Sequence, residues 1–141
     1  MSKMQVKIEG ADRIVYISRE GCIDLAGAIN ILKRVIQEFG NQRVLYILED
    51  ARRSTLDLSV PEMGVYYDEI KKHLYKFVEV RHAIVLSTPF ETAMGVIFQQ
   101  MVSSLSVYSY ACFSTEKAAK EWLKNGKYYG VQFAQRTNKY D

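Results

Sequence analysis

Three short runs, "RVLYILE" at 43–49, "RHAIVLS" at 81–87 and "VYSYACF" at 107–113, are almost continuously apolar, and segments of helical period stand between them. A strand with one wet face alternates apolar and polar residues, whereas a strand covered on both faces need not. Buried strands spaced by amphipathic helices restrict the chain to an α/β layer structure. The segments in front fit that frame. "MQVKIE" at 4–9 alternates as a half-buried strand, with Met4, Val6 and Ile8 on one side. "RIVYISR" at 13–19 follows after a turn in which Gly10 and Asp12 supply hairpin chemistry, so the first two strands are expected to be antiparallel.

Helix signals complete the pattern. "GCIDLAGAINILKRVIQEFGN" at 21–41 carries Leu25, Ile29, Leu32, Ile36 and Phe39 at helical spacing, with Asp24 as cap and Gly40 as a left-handed C-terminal residue. In "SVPEMGVYYDEIKKHLYKFVE", Ser59 and Glu62 have capping-box spacing, Pro61 falls in the first turn, and Met63, Tyr66 or Tyr67, Ile70, Leu74 and Phe77 form the buried stripe. "TPFETAMGVIFQQMVSSL" repeats the start signal with Thr88, Pro89 and Glu91. "STEKAAKEWLKNG" reads as a last helix capped by Ser114, with Gly126 past its end. The order is β-β-α-β-α-β-α-β-α, with a leading hairpin, a mostly parallel central sheet and right-handed crossovers. One domain over 1–126 is expected, with a tail over 127–141 that docks, adds a strand or stays unfolded.

Composition narrows function by exclusion. The 141 residues suffice for a core without disulfides or a structural metal. A net charge of +3, from 19 basic and 16 acidic residues spread along the chain, does not point to nucleic acid. Cys22 and Cys112 lie far apart, and with two histidines they give no metal-ligand spacing, so no metal and no cofactor is expected. The start "MSKMQVKIEG" lacks an apolar signal core, and no apolar run is long enough to span a bilayer; a reduced, cytoplasmic setting is the expectation.

The stretch "LEDARRSTLDLS" at 48–59 reads as the connection from a strand to a helix. Ligands in open α/β sheets bind beyond the carboxyl ends of the strands, and helix N-termini there offer free N–H groups. Asp50, Arg52, Arg53, Ser54, Thr55 and Ser59 are therefore the candidate anion- or partner-binding residues, with Ser54, Thr55 or Ser59 as modifiable hydroxyls. A merely solvated connection is the competing reading. Glu49 and Asp50 are adjacent on a strand and point to opposite faces, so they form no direct acid–base pair. His73 reads as a surface residue and His82 as a strand residue without a partner. An enzyme would need a pocket joining Cys22, His73 or His82 to a carboxylate, and catalysis is not expected. A second candidate is apolar: Met63, Tyr66, Tyr67, Met94, Phe98 and Met101, on two adjacent helices, could line a lipophilic groove or a dimer surface, or be plain core.

The leading hairpin and first helix, "RVLYILED", "RHAIVLS" and above all "ACFSTEKAAKEWL" together resemble the SpoIIAA-like, STAS-related proteins from about residue 4 to residue 125. The most specific piece is Phe113, Ser114, Ala118, Ala119, Trp122 and Leu123, a packing signature without chemistry. The resemblance implies that fold, which is also similar to lipid-transfer domains of the CRAL-TRIO type. It further implies a non-catalytic regulatory or protein-interaction module, a homodimer, with a carrier of a small apolar or acyl ligand as the alternative. Anti-sigma-factor antagonists of the family are switched by phosphorylation of a serine after a strand-end Asp. Asp50 matches that acid, but the Asp-Ser-Ser-Gly pattern is absent here.

Overall fold

The computed structural model describes residues 5–125. The expected tail over 127–141 lies outside the described residues. Five strands form one sheet: β1 (Gln5–Ala11), β2 (Ile14–Asp24), β3 (Val44–Asp57), β4 (Glu79–Val85) and β5 (Tyr108–Phe113). They lie in chain order, β1 antiparallel to β2 and every later neighbour parallel. Between them run α1 (Leu25–Phe39), α2 (Val60–His73) with one 3-10 turn at Leu74–Lys76, and α3 (Pro89–Met101). A fourth helix, α4, covers 116–125. The mostly parallel α/β sheet with a leading hairpin is the architecture expected from the sequence.

Crossovers of one hand between strands laid down in sequential order put successive helices on the same face. Ala28, Ile31 and Val35 of α1, Met63 and Ile70 of α2, and Met94 and Phe98 of α3 accordingly share one core with Val15, Ile17, Leu45, Ile47, Val80 and Tyr108 of the sheet. The opposite face carries Ile14, Leu48, Ala83 and Val85, and α4 covers it with Ala119, Trp122 and Leu123. The Phe113 and Trp122 rings lie 5.8 Å apart, so the aromatic–alanine–tryptophan piece is indeed packing. Arg81 donates from Nη1 to the Leu123 carbonyl at 2.7 Å and clamps the far end of α4 to β4.

Sequence signals and structure agree at several element ends and differ at others. Ser59 and Glu62 form the full capping box on α2, and Asp24 accepts from Gly27 N–H at 2.9 Å. The hairpin turns through Asp12 and Arg13, both with positive φ, as a two-residue loop matched to strand twist requires. Gly40 is the C-cap of α1 but is right-handed, φ −71°, rather than left-handed. The cap of α4 is Thr115, whose Oγ1 accepts from Ala118 N–H, rather than Ser114. Residues 21–24, up to and including the Asp24 cap, extend β2 well past the expected strand at 13–19.

Residues 50–59 differ most from the connection that their sequence suggests. Residues 50–57 are not a connection but the second half of β3, which continues past the end of β4 as a ribbon paired with Glu20–Asp24 of β2. The register slips by one residue there: Ser18 faces Asp50, and Glu20 faces Arg53. Such a bulge exchanges the two faces of a strand. Before it, Leu45, Ile47 and Glu49 point to the three-helix face; after it, Ser54, Leu56 and Leu58 do.

Candidate functional site

Strand parity and the bulge aim polar residues into the three-helix core. Arg19 follows Val15 and Ile17 along β2, Glu49 follows Leu45 and Ile47 along β3, and His82 follows Val80 along β4. All three are buried, as is Ser54. Arg19 Nε donates to Glu49 Oε2 at 2.5 Å, and its Nη1 donates to the Ser54 hydroxyl. His82 Nε2 meets Glu49 Oε1 at 2.7 Å, and its Nδ1 meets the Tyr108 hydroxyl at 2.7 Å. One tautomer serves both contacts: Nε2–H donates to Glu49, and Nδ1 accepts from Tyr108. Burial alone would raise the Glu49 carboxyl, but the Arg19 guanidinium and the His82 hydrogen bond outweigh it and hold the group down at about 2. Burial pushes the Tyr66, Tyr108 and Tyr110 hydroxyls up, and the Glu49 charge adds to this.

Two cavities flank this cluster. One, of about 70 Å³, lies under α2 and α3 toward the carboxyl ends of the strands; Met63, Tyr66, Met94 and Phe98 supply its apolar wall and Arg19, Glu49 and Glu91 its polar side. The other, of about 40 Å³, lies under α1 and α2 and is nearly all apolar. Ile31, Glu49, Tyr66 and His82 line both, so the polar cluster is the partition between two greasy spaces. Glu91 closes one side in an unexpected way. It completes no capping box: its Oε1 accepts from the Thr88 hydroxyl, and its Oε2 accepts the Leu56 N–H at 3.2 Å, on the part of β3 that β4 leaves unpaired.

Of the apolar candidates, the fold therefore brings Met63, Tyr66, Met94 and Phe98 to one cavity, with the Tyr66 and Phe98 rings 5.5 Å apart. Tyr67 and Met101 pack at the margin of the core instead. The polar candidates divide: Asp50, Arg52 and Arg53 share one surface depression, and Ser54, Thr55 and Ser59 do not line it. Arg52 makes a two-pronged contact with Asp50 at 2.9 and 2.8 Å, Arg53 reaches Glu20 at 3.0 Å, Ser54 is buried against Arg19, and Ser59 caps α2. Thr55 is exposed on the ribbon. Ser18, Arg19, Asp50, Arg52 and Arg53 border an open depression of about 350 Å³.

His73 is half-buried against the second cavity rather than a surface residue. His82, expected to lack a partner, has two, and it does join a carboxylate beside a pocket. With both ring nitrogens engaged, it has none left to act as a base toward a ligand. Burial pushes the Cys112 thiol up to about 12, away from the reactive thiolate. Among the described residues no group of three or more His, Cys, Asp or Glu could hold a metal, and no helix is long and apolar enough to cross a membrane. Arg19 went unnoticed in the sequence. Its only signal was a charge continuing the inward parity of Val15 and Ile17.

A five-stranded sheet in chain order, opened by a hairpin, with three helices on one face and one on the other, is a SpoIIAA-like α/β fold. The chain is similar to a solved structure from Shewanella loihica PV-4, an uncharacterized protein of the DUF3478 family with a SpoIIAA-like fold. The match has a TM-score of 0.56 at 15% sequence identity and covers 87% of this chain and 98% of that one. No family model and no curated protein matches the chain.

Proposed function

We propose that this chain binds a small, largely apolar ligand in the cleft between α2, α3 and the sheet, and acts as its carrier or receptor without catalysis. The observation that carries this reading is an apolar cavity with a buried polar wall held in place by hydrogen bonds. Binding sites for small molecules pair an apolar lining with a few fixed polar groups, and interiors that serve stability alone leave few such spaces. Native mass spectrometry of freshly purified protein, repeated under denaturing conditions, tests it. A bound mass that disappears on denaturation is expected, and Met94→Glu should abolish it while circular dichroism is unchanged. Retention of that mass in a folded Met94→Glu protein would count against the cleft.

A second reading, a regulatory interaction module, draws support from the depression bordered by Arg52 and Arg53, where Arg53 is strongly exposed. Both arginines are paired within the chain, so a partner would have to compete for them through its own acidic or phosphorylated groups. Joint Arg52→Ala and Arg53→Ala substitution should then abolish capture of that partner at an unchanged melting temperature. Unaltered capture would rule the reading out.

A further inference from the structure

Arg19 is 5% exposed, and a guanidinium has five N–H donors. Glu49 and Ser54 take two of them; no other described residue accepts from the rest, and Arg19 lines the 70 Å³ cavity. Spare N–H groups sit on Nη2, which is not sealed off: among the described residues the fully buried side-chain donor without a partner is Trp122 Nε1, and Arg19 lies between the cavity and the open depression. A polar ligand atom in the cavity would take these N–H groups in place of water.

We propose that Arg19 is the head-group subsite of the cleft and selects an uncharged carbonyl acceptor, as in an ester, ketone or amide, over a free carboxylate. The inference rests on the cleft being a ligand site. Its selectivity follows from charge. The Glu49 carboxylate already pairs with the guanidinium, Glu91 adds a second carboxylate to the lining, and His82 has both ring nitrogens engaged by Glu49 and Tyr108. Tyr66 and Tyr110, the other titratable groups of the lining, are held in the hydroxyl form. A ligand carboxylate would bring another negative charge beside Glu49 and Glu91 in a largely apolar space, where the arginine of the lining is already paired. A carbonyl oxygen takes the spare N–H groups without a counter-charge. The cavity is small, so the ligand is short.

Two sets of NMR signals separate the layers of this proposal: the ¹³C methyls of Met63 and Met94 report filling of the cleft, and the Arg19 Nε–H reports the head group. The probes are methyl hexanoate and its isomer heptanoate at pH 7, with hexyl methyl ketone and nonane. The ester and the ketone should move both sets and bind at least about ten-fold more tightly than heptanoate. Nonane should move the methyls alone. Arg19→Lys, which keeps a charge for Glu49 but loses the fork, should erase the preference of ester over nonane. Equal affinity for ester and heptanoate in the unaltered protein would overturn the head-group assignment and leave the ligand site standing. Methyls that respond to none of the four probes would overturn both.

Discussion

Arg19, Glu49 and His82 place ionisable groups where the neighbouring positions hold valine, leucine and isoleucine. Such a group survives burial only when every charge is answered, and removing one partner exposes the full desolvation penalty of the other. Arg19→Met should cost about 3–5 kcal/mol, and the double change Arg19→Met with Glu49→Leu should cost clearly less than the two single changes summed. Denaturant titration of all four proteins measures the coupling; simple additivity would show that the pair is not interdependent. The same pair sets the acid limit. The folded-state value for Glu49, about 2, lies below its ordinary 4.5, so this stabilisation is complete above about pH 4.5. It is lost as the pH falls from there toward 2. Glu49→Gln should flatten that part of the stability–pH curve, and an unchanged slope would assign acid unfolding to other carboxylates.

Helices α2 and α3 form the walls of the cleft, and their glycines show how differently the two are seated. A Cβ on Gly95 of α3 would lie 2.6 Å from Cys112 Sγ and 3.0 Å from Leu86 Cδ1, so α3 packs on β5 through a bare backbone. A Cβ on Gly64 of α2 would meet nothing within 4 Å. Gly64→Ala should therefore stabilise by about 0.5–1 kcal/mol through helix propensity. Gly95→Ala should destabilise by about 1–3 kcal/mol through overpacking. Opposite shifts in thermal midpoint are the expected result; the same sign for both would mean that α3 can lift off the sheet. Glu91 adds a further link, since its contact with the Leu56 N–H ties the start of α3 to the β3 ribbon beyond β4.

At the scale of the molecule, the sheet divides the protein into unequal halves. Three helices cover one face and enclose both cavities, while among the described residues α4 alone covers the other. The α4 side is thus packing alone, while the three-helix side combines the larger core with the proposed cleft. Trp122→Ala should cost about 3–5 kcal/mol, because the ring is buried against Phe113 and nothing nearby can fill its space. Cleft occupancy, read from the Met94 methyl, should persist at temperatures where the variant stays folded. Loss of the methyl response in folded Trp122→Ala protein would mean that the two faces are mechanically coupled.

The sequence by itself determined the order of elements, the hairpin, the buried parallel strands and the capping box of α2. Each of these depends on residues close in the chain: apolar period, turn chemistry and the reach of a serine to an N–H three residues on. It also marked Met63, Tyr66, Tyr67, Met94, Phe98 and Met101 on two adjacent helices, because the apolar arc of α3 is wider than one sheet contact needs; of these, Met63, Tyr66, Met94 and Phe98 line the cavity. Only the tertiary structure decided the ribbon at 50–57 and the polar cluster. A bulge has no sequence period, and by exchanging the faces of β3 it hid a strand behind what looked like a polar connection. Arg19, Glu49, His82 and Tyr108 come from four different strands, and each alone is an ordinary residue. Their meeting depends on which strands are neighbours and in what register, which long-range packing sets and no local pattern encodes.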